Sequence, residues 1–201
     1  MAAAAIKEED VKKLQYLGVK DSKLLSKEAR EEMFDRLHEI LLDFRIELIE
    51  PDAIDSALMD PTSNLNWLEA ETSARLVSQL NPTIIYVDCP SRNIAAYTKY
   101  FKSKLSEGVA ENSEIVMEHK ADEKYLIVAA ASILAKVIRD RAIEHLINEI
   151  GEDFGSGYLG DARTRKFLEA NFDKYPDVFR KSWKPYIDLV SGKYQKSLND
   201  Y

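Results

Sequence analysis

The stretch Ile115-Val116-Met117-Glu118-His119-Lys120-Ala121-Asp122-Glu123-Lys124-Tyr125-Leu126-Ile127-Val128-Ala129-Ala130-Ala131-Ser132-Ile133-Leu134-Ala135-Lys136 passes from a short β-rich run, through a cluster of charges, into a long apolar helix. Charge at the mouth of a buried helix is either costly or used. Asp122 suits two roles, a carboxylate settled in the positive field of a helix start or a chemically active acid, and both stand open at this point. The helix is expected from about Tyr125 to Ile150, with Gly151 as its stop. At 1.5 Å per residue it runs about 35–40 Å. Its expected inward stripe is Ile127, Ala131, Leu134 and Ile138, and the small alanines let it lie close to a sheet.

Strands and helices alternate outward from this point. Ala2 to Ile6 reads as the end of a strand, and Leu17 to Lys23 as a loop. Ser26 caps a helix with Ala29, Met33, Leu37, Ile40 and Leu41 on its apolar face. Phe44 to Leu48 alternates like a half-exposed strand that Pro51 ends. A helix starts near Asn64 and presents Leu65, Leu68, Thr72 and Leu76. Thr83 to Asp88 is a continuous β-rich run of the buried kind. A helix with Tyr97, Phe101 and Leu105 follows Pro90 and closes near Gly108. The alternation predicts a three-layer α/β fold, with a helical appendage from Phe154 onward. No internal repeat or low-complexity segment interrupts it.

At 201 residues, 45% of them hydrophobic, the chain can bury a real core as one domain with a small C-terminal addition. No stretch reaches the length of a membrane span, and Met1 to Ile6 is too short for a secretory signal before Lys7-Glu8-Glu9-Asp10. The single cysteine, Cys89, excludes an internal disulfide and a thiolate-rich metal site. These features predict a cytoplasmic protein without a membrane partner. The net charge of −7 disfavours nonspecific nucleic-acid binding, although a local basic face can carry such a contact.

Two strands deliver aspartates at their ends: Asp88 after Ile84-Ile85-Tyr86-Val87, and Asp122 after Ile115-Val116-Met117. Ligands of open α/β sheets gather at strand ends. Two carboxylates brought together repel unless one is protonated or a cation sits between them. Hard oxygen donors suit Mg2+ or Mn2+. Asp88 also has a plain alternative, a turn residue before Cys89-Pro90. Beyond the long helix, Gly155-Ser156-Gly157-Tyr158 presents a tyrosine on a loop. Asp161-Ala162-Arg163-Thr164-Arg165-Lys166 opens the next helix, with Arg180-Lys181-Ser182-Trp183-Lys184 further on. Basic residues outnumber acidic ones from Tyr158 onward, which suits phosphate contact with Tyr158 stacked on a sugar or base. Each residue taken singly also suits a solvated helix face or a core tryptophan. Phosphate-loop, nucleophile-elbow and dinucleotide glycine motifs are absent from the sequence.

The segments Gly18-Val19-Lys20-Asp21-Ser22-Lys23, Tyr86-Val87-Asp88, His119-Lys120-Ala121-Asp122, Ala130 to Val137 with Arg139-Asp140, Gly155-Ser156-Gly157-Tyr158 and Arg180-Lys181-Ser182-Trp183, in this order, resemble ribonuclease HII in its archaeal form. The resemblance spans nearly the whole chain. It implies an α/β fold with a ribonuclease H-like mixed sheet flanked by helices. Residues 1–150 would form the catalytic core and residues 151–201 a helical substrate-binding region. It implies endonucleolytic cleavage of RNA in RNA–DNA hybrids and at ribonucleotides embedded in duplex DNA, leaving 5′-phosphates, with Mn2+ or Mg2+ as cofactor. By the same resemblance Asp88 and Asp122 are catalytic and metal-binding, and Tyr158 senses the ribose 2′-hydroxyl. Lys23, Lys136, Arg163 and Arg180 become substrate-side or supporting positions. The protein is expected to be a monomer. Ser197 to Tyr201 does not read as a motif for a sliding clamp.

One departure stands out. The family opens with a strand bearing Asp-Glu-Ala-Gly-Arg-Gly, which supplies two of its four catalytic acids, and this sequence begins inside what resembles the second strand. The expectation is a start assigned too late, with the motif encoded upstream. The alternative is an N-terminally truncated, noncatalytic hybrid-binding remnant. Translating the DNA upstream of the Met1 codon separates the two. The polypeptide as written is expected to show little or no nuclease activity, and to expose a sheet edge prone to aggregation. A third reading, a small-molecule α/β enzyme, predicts no protection of Tyr158 or Arg163 by an RNA–DNA duplex.

Overall fold

The structure is a computed structural model that describes residues 1–19 and 25–199, with side chains as far as Gly192. Its chain groups into two compact units. The first comprises Met1–Leu48 and Asn66–Arg139, the second Ile49–Leu65 and Asp140–Tyr201.

In the first unit, β1 (Ala2–Ala5) pairs antiparallel with β2 (Asp43–Ile46), Ala3 opposite Arg45. β3 (Ile84–Asp88) pairs parallel with β4 (Glu114–Glu118), and Asp88 stands opposite Glu118. Both pairing senses of a mixed sheet are therefore present. Among the described residues they form two separate two-stranded ladders rather than one continuous sheet.

Helices α1 (Val11–Leu17) and α2 (Lys27–Ile40) connect β1 to β2. The Ala29 N–H donates to the Ser26 hydroxyl at 3.2 Å, satisfying one of the orphan donors at the start of α2. α4 (Leu65–Leu80) leads into β3; α5 (Ile94–Lys104) and α6 (Glu107–Asn112) cross over from β3 to β4. This helical crossover is what a parallel pair requires.

After β4 come the single turn α7 (Ala121–Lys124) and the long helix α8 (Leu126–Ile150). Ala129, Ala130, Ile133, Leu134 and Val137 of α8 are buried against Leu14, Leu17, Leu37 and Leu41, with Ala2 and Ala4 of β1 alongside. The inward stripe is thus rotated from the expected one. Only Leu134 of Ile127, Ala131, Leu134 and Ile138 is fully buried; Ala129, Ala130, Ile133 and Val137 take the other inward positions. A separate core gathers Ala70, Ala74, Ile85, Val87, Tyr97, Phe101 and Val109 around β3 and β4.

The second unit contains α3 (Pro51–Met59), the C-terminal part of α8, α9 (Ala162–Asn171) and α10 (Lys184–Asn199). Phe154, Phe167, Leu168 and Phe179 form its core, with Phe154 and Phe167 stacked at 4.9 Å between centroids. Pro51 does not simply end a strand. It occupies the first turn of α3, where its missing N–H has no intrahelical partner to lose. Among the described residues no helix is long and apolar enough to cross a membrane.

Candidate active site

β3 and β4 end side by side in parallel register, so the segments leaving them meet at the carboxyl ends of the strands. One segment starts at Asp88. The other turns through His119 and Lys120, and Lys120 adopts the left-handed conformation at φ 55°. This turn brings the Ala121 N–H to Asp88, whose Oδ1 accepts it at 3.2 Å. Asp88 is therefore bonded to the residue immediately before Asp122, and the structure brings the two aspartates into one neighbourhood. Asp88 is exposed and Asp122 half-buried.

Three neighbours define what this acidic corner can do. Glu118, opposite Asp88, is engaged by the Lys124 ammonium and accepts from the Tyr125 hydroxyl at 3.1 Å. The Lys124 bond, followed by the Tyr125 bond, holds its carboxyl below the usual range. His119 sets its Nδ1 2.8 Å from the Cys89 carbonyl. A carbonyl only accepts, so Nδ1 carries the proton, which leaves Nε2 as the acceptor of the neutral ring. Glu69 on α4 is the residue that the sequence reading missed: burial first, and then the Asp88 charge, push its carboxyl up.

Asp88 and Asp122 supply hard oxygen donors, and Mg2+ is commonly held by one or two carboxylates with water and substrate phosphate completing the shell. As a donor set, two carboxylates match that open manner of binding. Among the described residues no group of three or more His, Cys, Asp or Glu side chains is placed to hold a metal ion.

In the second unit the Tyr158 loop is tied at several points. Asp161 caps α9, its Oδ1 accepting the Arg163 N–H at 2.9 Å, and its Oδ2 accepts the Ser156 N–H at 3.0 Å. The Thr164 hydroxyl donates to the Phe154 carbonyl at 2.8 Å and accepts the Gly157 N–H at 3.1 Å. Arg163 pairs with Asp153 at 2.8 Å and with Asp161 at 3.3 Å. Bonds from Ser156 and Arg163 hold the Asp161 carboxyl down at about 2. Gly155 lies at φ +80°, and a Cβ there would stand 2.4 Å from Asp161 Oδ2. Only glycine fits. Tyr158 is 49% exposed on this fixed loop.

Lys136 is half-buried on α8 in the first unit. Arg180 lies over the Trp183 ring, 5.5 Å from its centroid, in the second. Lys23 lies outside the described residues.

The Ribonuclease HII family profile matches residues 1–186. The ribonuclease HII of Pyrococcus abyssi is 40% identical over 188 residues, covering 91% of this chain and 80% of that protein. The crystal structure of ribonuclease H2 from Pyrococcus horikoshii superimposes with a TM-score of 0.78 at 35% identity, covering 94% of this chain and 97% of the other. A chain in the structure of the PCNA:RNase HII complex from Archaeoglobus fulgidus gives 0.78 at 36% identity, covering 94% and 86%. This chain belongs to the ribonuclease HII family, a family of endoribonucleases.

Proposed function

We propose that the chain acts on RNA–DNA hybrids and on duplex DNA with embedded ribonucleotides, and that Asp88 and Asp122 serve endonucleolytic hydrolysis leaving a 5′-phosphate. The observation that carries this reading is the bond from the Ala121 N–H to Asp88, which ties the end of β3 to the residue just before Asp122. Asp88 and Asp122 would hold the divalent ion, Mn2+ or Mg2+, as two of its oxygen ligands. Such an ion supplies acidification of a water and neutralisation of the leaving oxygen. Ala121 fixes one Asp88 oxygen. The Asp161 clasp keeps Tyr158 pre-organised, so stacking it against a ribose carries little ordering cost. Lys136, Arg163 and Arg180, with Lys23, neutralise backbone phosphates, Arg163 also acting through the loop it braces. In this reading residues 1–150 are the catalytic core and residues 151–201 the substrate-binding region of a cytoplasmic monomer working in replication and repair.

A second reading, a noncatalytic hybrid binder, is favoured by one observation: no set of three or more metal-ligating side chains stands together among the described residues. The test uses this polypeptide, purified from a host lacking its own enzyme of the type. A labelled duplex with one embedded ribonucleotide is added with Mn2+ or Mg2+. Preferential binding over plain DNA duplex supports the substrate assignment; nicking at the ribonucleotide supports hydrolysis by this chain, and binding without nicking supports the second reading. Equal binding to both duplexes overturns the substrate assignment, and robust nicking overturns the second reading.

A further inference from the structure

Asp55 on α3 is only 4% exposed and plays no part in the acid pair. Its Oδ2 accepts the Lys181 N–H at 2.7 Å. Its Oδ1 accepts the Ser182 N–H at 3.0 Å and the Ser182 hydroxyl at 2.6 Å. Burial pushes the Asp55 carboxyl up, but the Ser182 and Lys181 bonds, with the Arg180 charge, outweigh it and leave it below the usual range. Asp55 is thus a buried anion whose three donors all belong to one turn.

That turn is Arg180-Lys181-Ser182-Trp183, closed by the Trp183 N–H on the Arg180 carbonyl at 3.0 Å and continued by α10. Lys181 reaches back to Asp52, one turn before Asp55 on α3, at 3.6 Å. The Arg180 guanidinium rests against the Trp183 ring, and its Nε is buried without a hydrogen-bond partner. The direction of this guanidinium therefore depends on the shape of a turn that Asp55 holds. A buried charge is a poor device for stability alone, since well-packed apolar groups often do as well. Its distinctive contribution is to fix one backbone geometry.

We infer that Asp55 is a positioning residue: by clasping the 180–183 turn it aims Arg180 at a phosphodiester of the duplex backbone. This rests on the hybrid-binding reading proposed above. The test measures the affinity of the full chain for a fluorescein-labelled RNA–DNA hybrid by anisotropy in EDTA, over a salt series, for wild type, Asp55→Asn, Arg180→Ala and the double variant. Asp55→Asn and Arg180→Ala are each expected to weaken binding about tenfold and to lower the salt slope by about one. The double variant should fall within about twofold of Arg180→Ala, because residues acting through one contact are not additive. Ser182→Ala, which removes one donor, gives a milder loss that vanishes in the Arg180→Ala background and serves if Asp55→Asn does not fold. Leu168→Ala, destabilising the same unit from its core, should leave the salt slope unchanged. Additive losses, or an unchanged slope in Asp55→Asn, overturn the positioning role while leaving the hybrid reading intact. No hybrid binding by wild type overturns the hybrid reading and, with it, this inference.

Discussion

Asp88 and Ala121 stand 33 positions apart in sequence, yet the Ala121 N–H donates to Asp88 Oδ1 at 3.2 Å. Parallel pairing of β3 with β4 brings the two segments level, and the left-handed turn at Lys120 points the amide inward. The acid pair is thus set by backbone geometry as well as by side-chain identity.

Lys120 has φ 55°, a conformation that a Cβ makes costly. Lys120→Val should destabilise the protein by about 1–2 kcal/mol, with Lys120→Gly neutral or slightly stabilising. Urea unfolding of the two variants against wild type measures this, and equal destabilisation by both would show that the lysine side chain, not the turn, matters.

Gly155→Ala meets both a positive φ and an Asp161 oxygen in the way. The Tyr158 loop should shift, with a loss of about 1–2 kcal/mol from the backbone conformation alone. Hybrid affinity should fall with it. Denaturant unfolding and anisotropy together check the pair of effects, and an unaltered affinity would detach the loop from substrate binding.

The Asp161 carboxyl is depressed to about 2, so its ionised form favours the folded loop. Its contribution is fully present above the unfolded carboxylate range near pH 4 and is lost as pH falls toward 2. Amide chemical shifts of Ser156 and Arg163 should titrate with that low midpoint and stay flat in Asp161→Asn. A midpoint near 4 in wild type would contradict the clasp.

Leu134 is fully buried where α8 meets α1 and α2. Leu134→Ala should cost about 3 kcal/mol, the middle of the range for buried leucines. Ile138→Ala, at a half-buried position of α8, should cost less in the same unfolding assay.

Much of the architecture is legible in the residues. Ser26 and Asp161 mark helix starts, Gly151 closes α8, and the β-rich run ending in Asp88 marks a strand, although only Ile85 and Val87 of it are buried while Ile84 and Asp88 are exposed. The helix α3 is not, because Pro51 serves equally as a strand stop and as a first-turn helical residue, and only tertiary contact decides. Asp55 and Glu69 escape for a related reason. Burial of an isolated acid is decided by partners distant in sequence: for Asp55, the turn 126 and 127 positions onward; for Glu69, the neighbouring Asp88. Asp88 and Asp122 stand out in the sequence as acids that follow β-rich runs, but the Ala121 bond that ties Asp88 to the segment bearing Asp122 depends on parallel register and a left-handed lysine, neither of which a local pattern encodes.

The most direct test of the acid pair is a Mn2+ titration of the polypeptide followed by electron paramagnetic resonance of the unbound ion, in wild type, Asp88→Asn and Asp122→Asn. Weak binding of an ion by wild type, abolished by either substitution with the fold intact, is the predicted result. Equal Mn2+ binding by all three proteins would contradict the account.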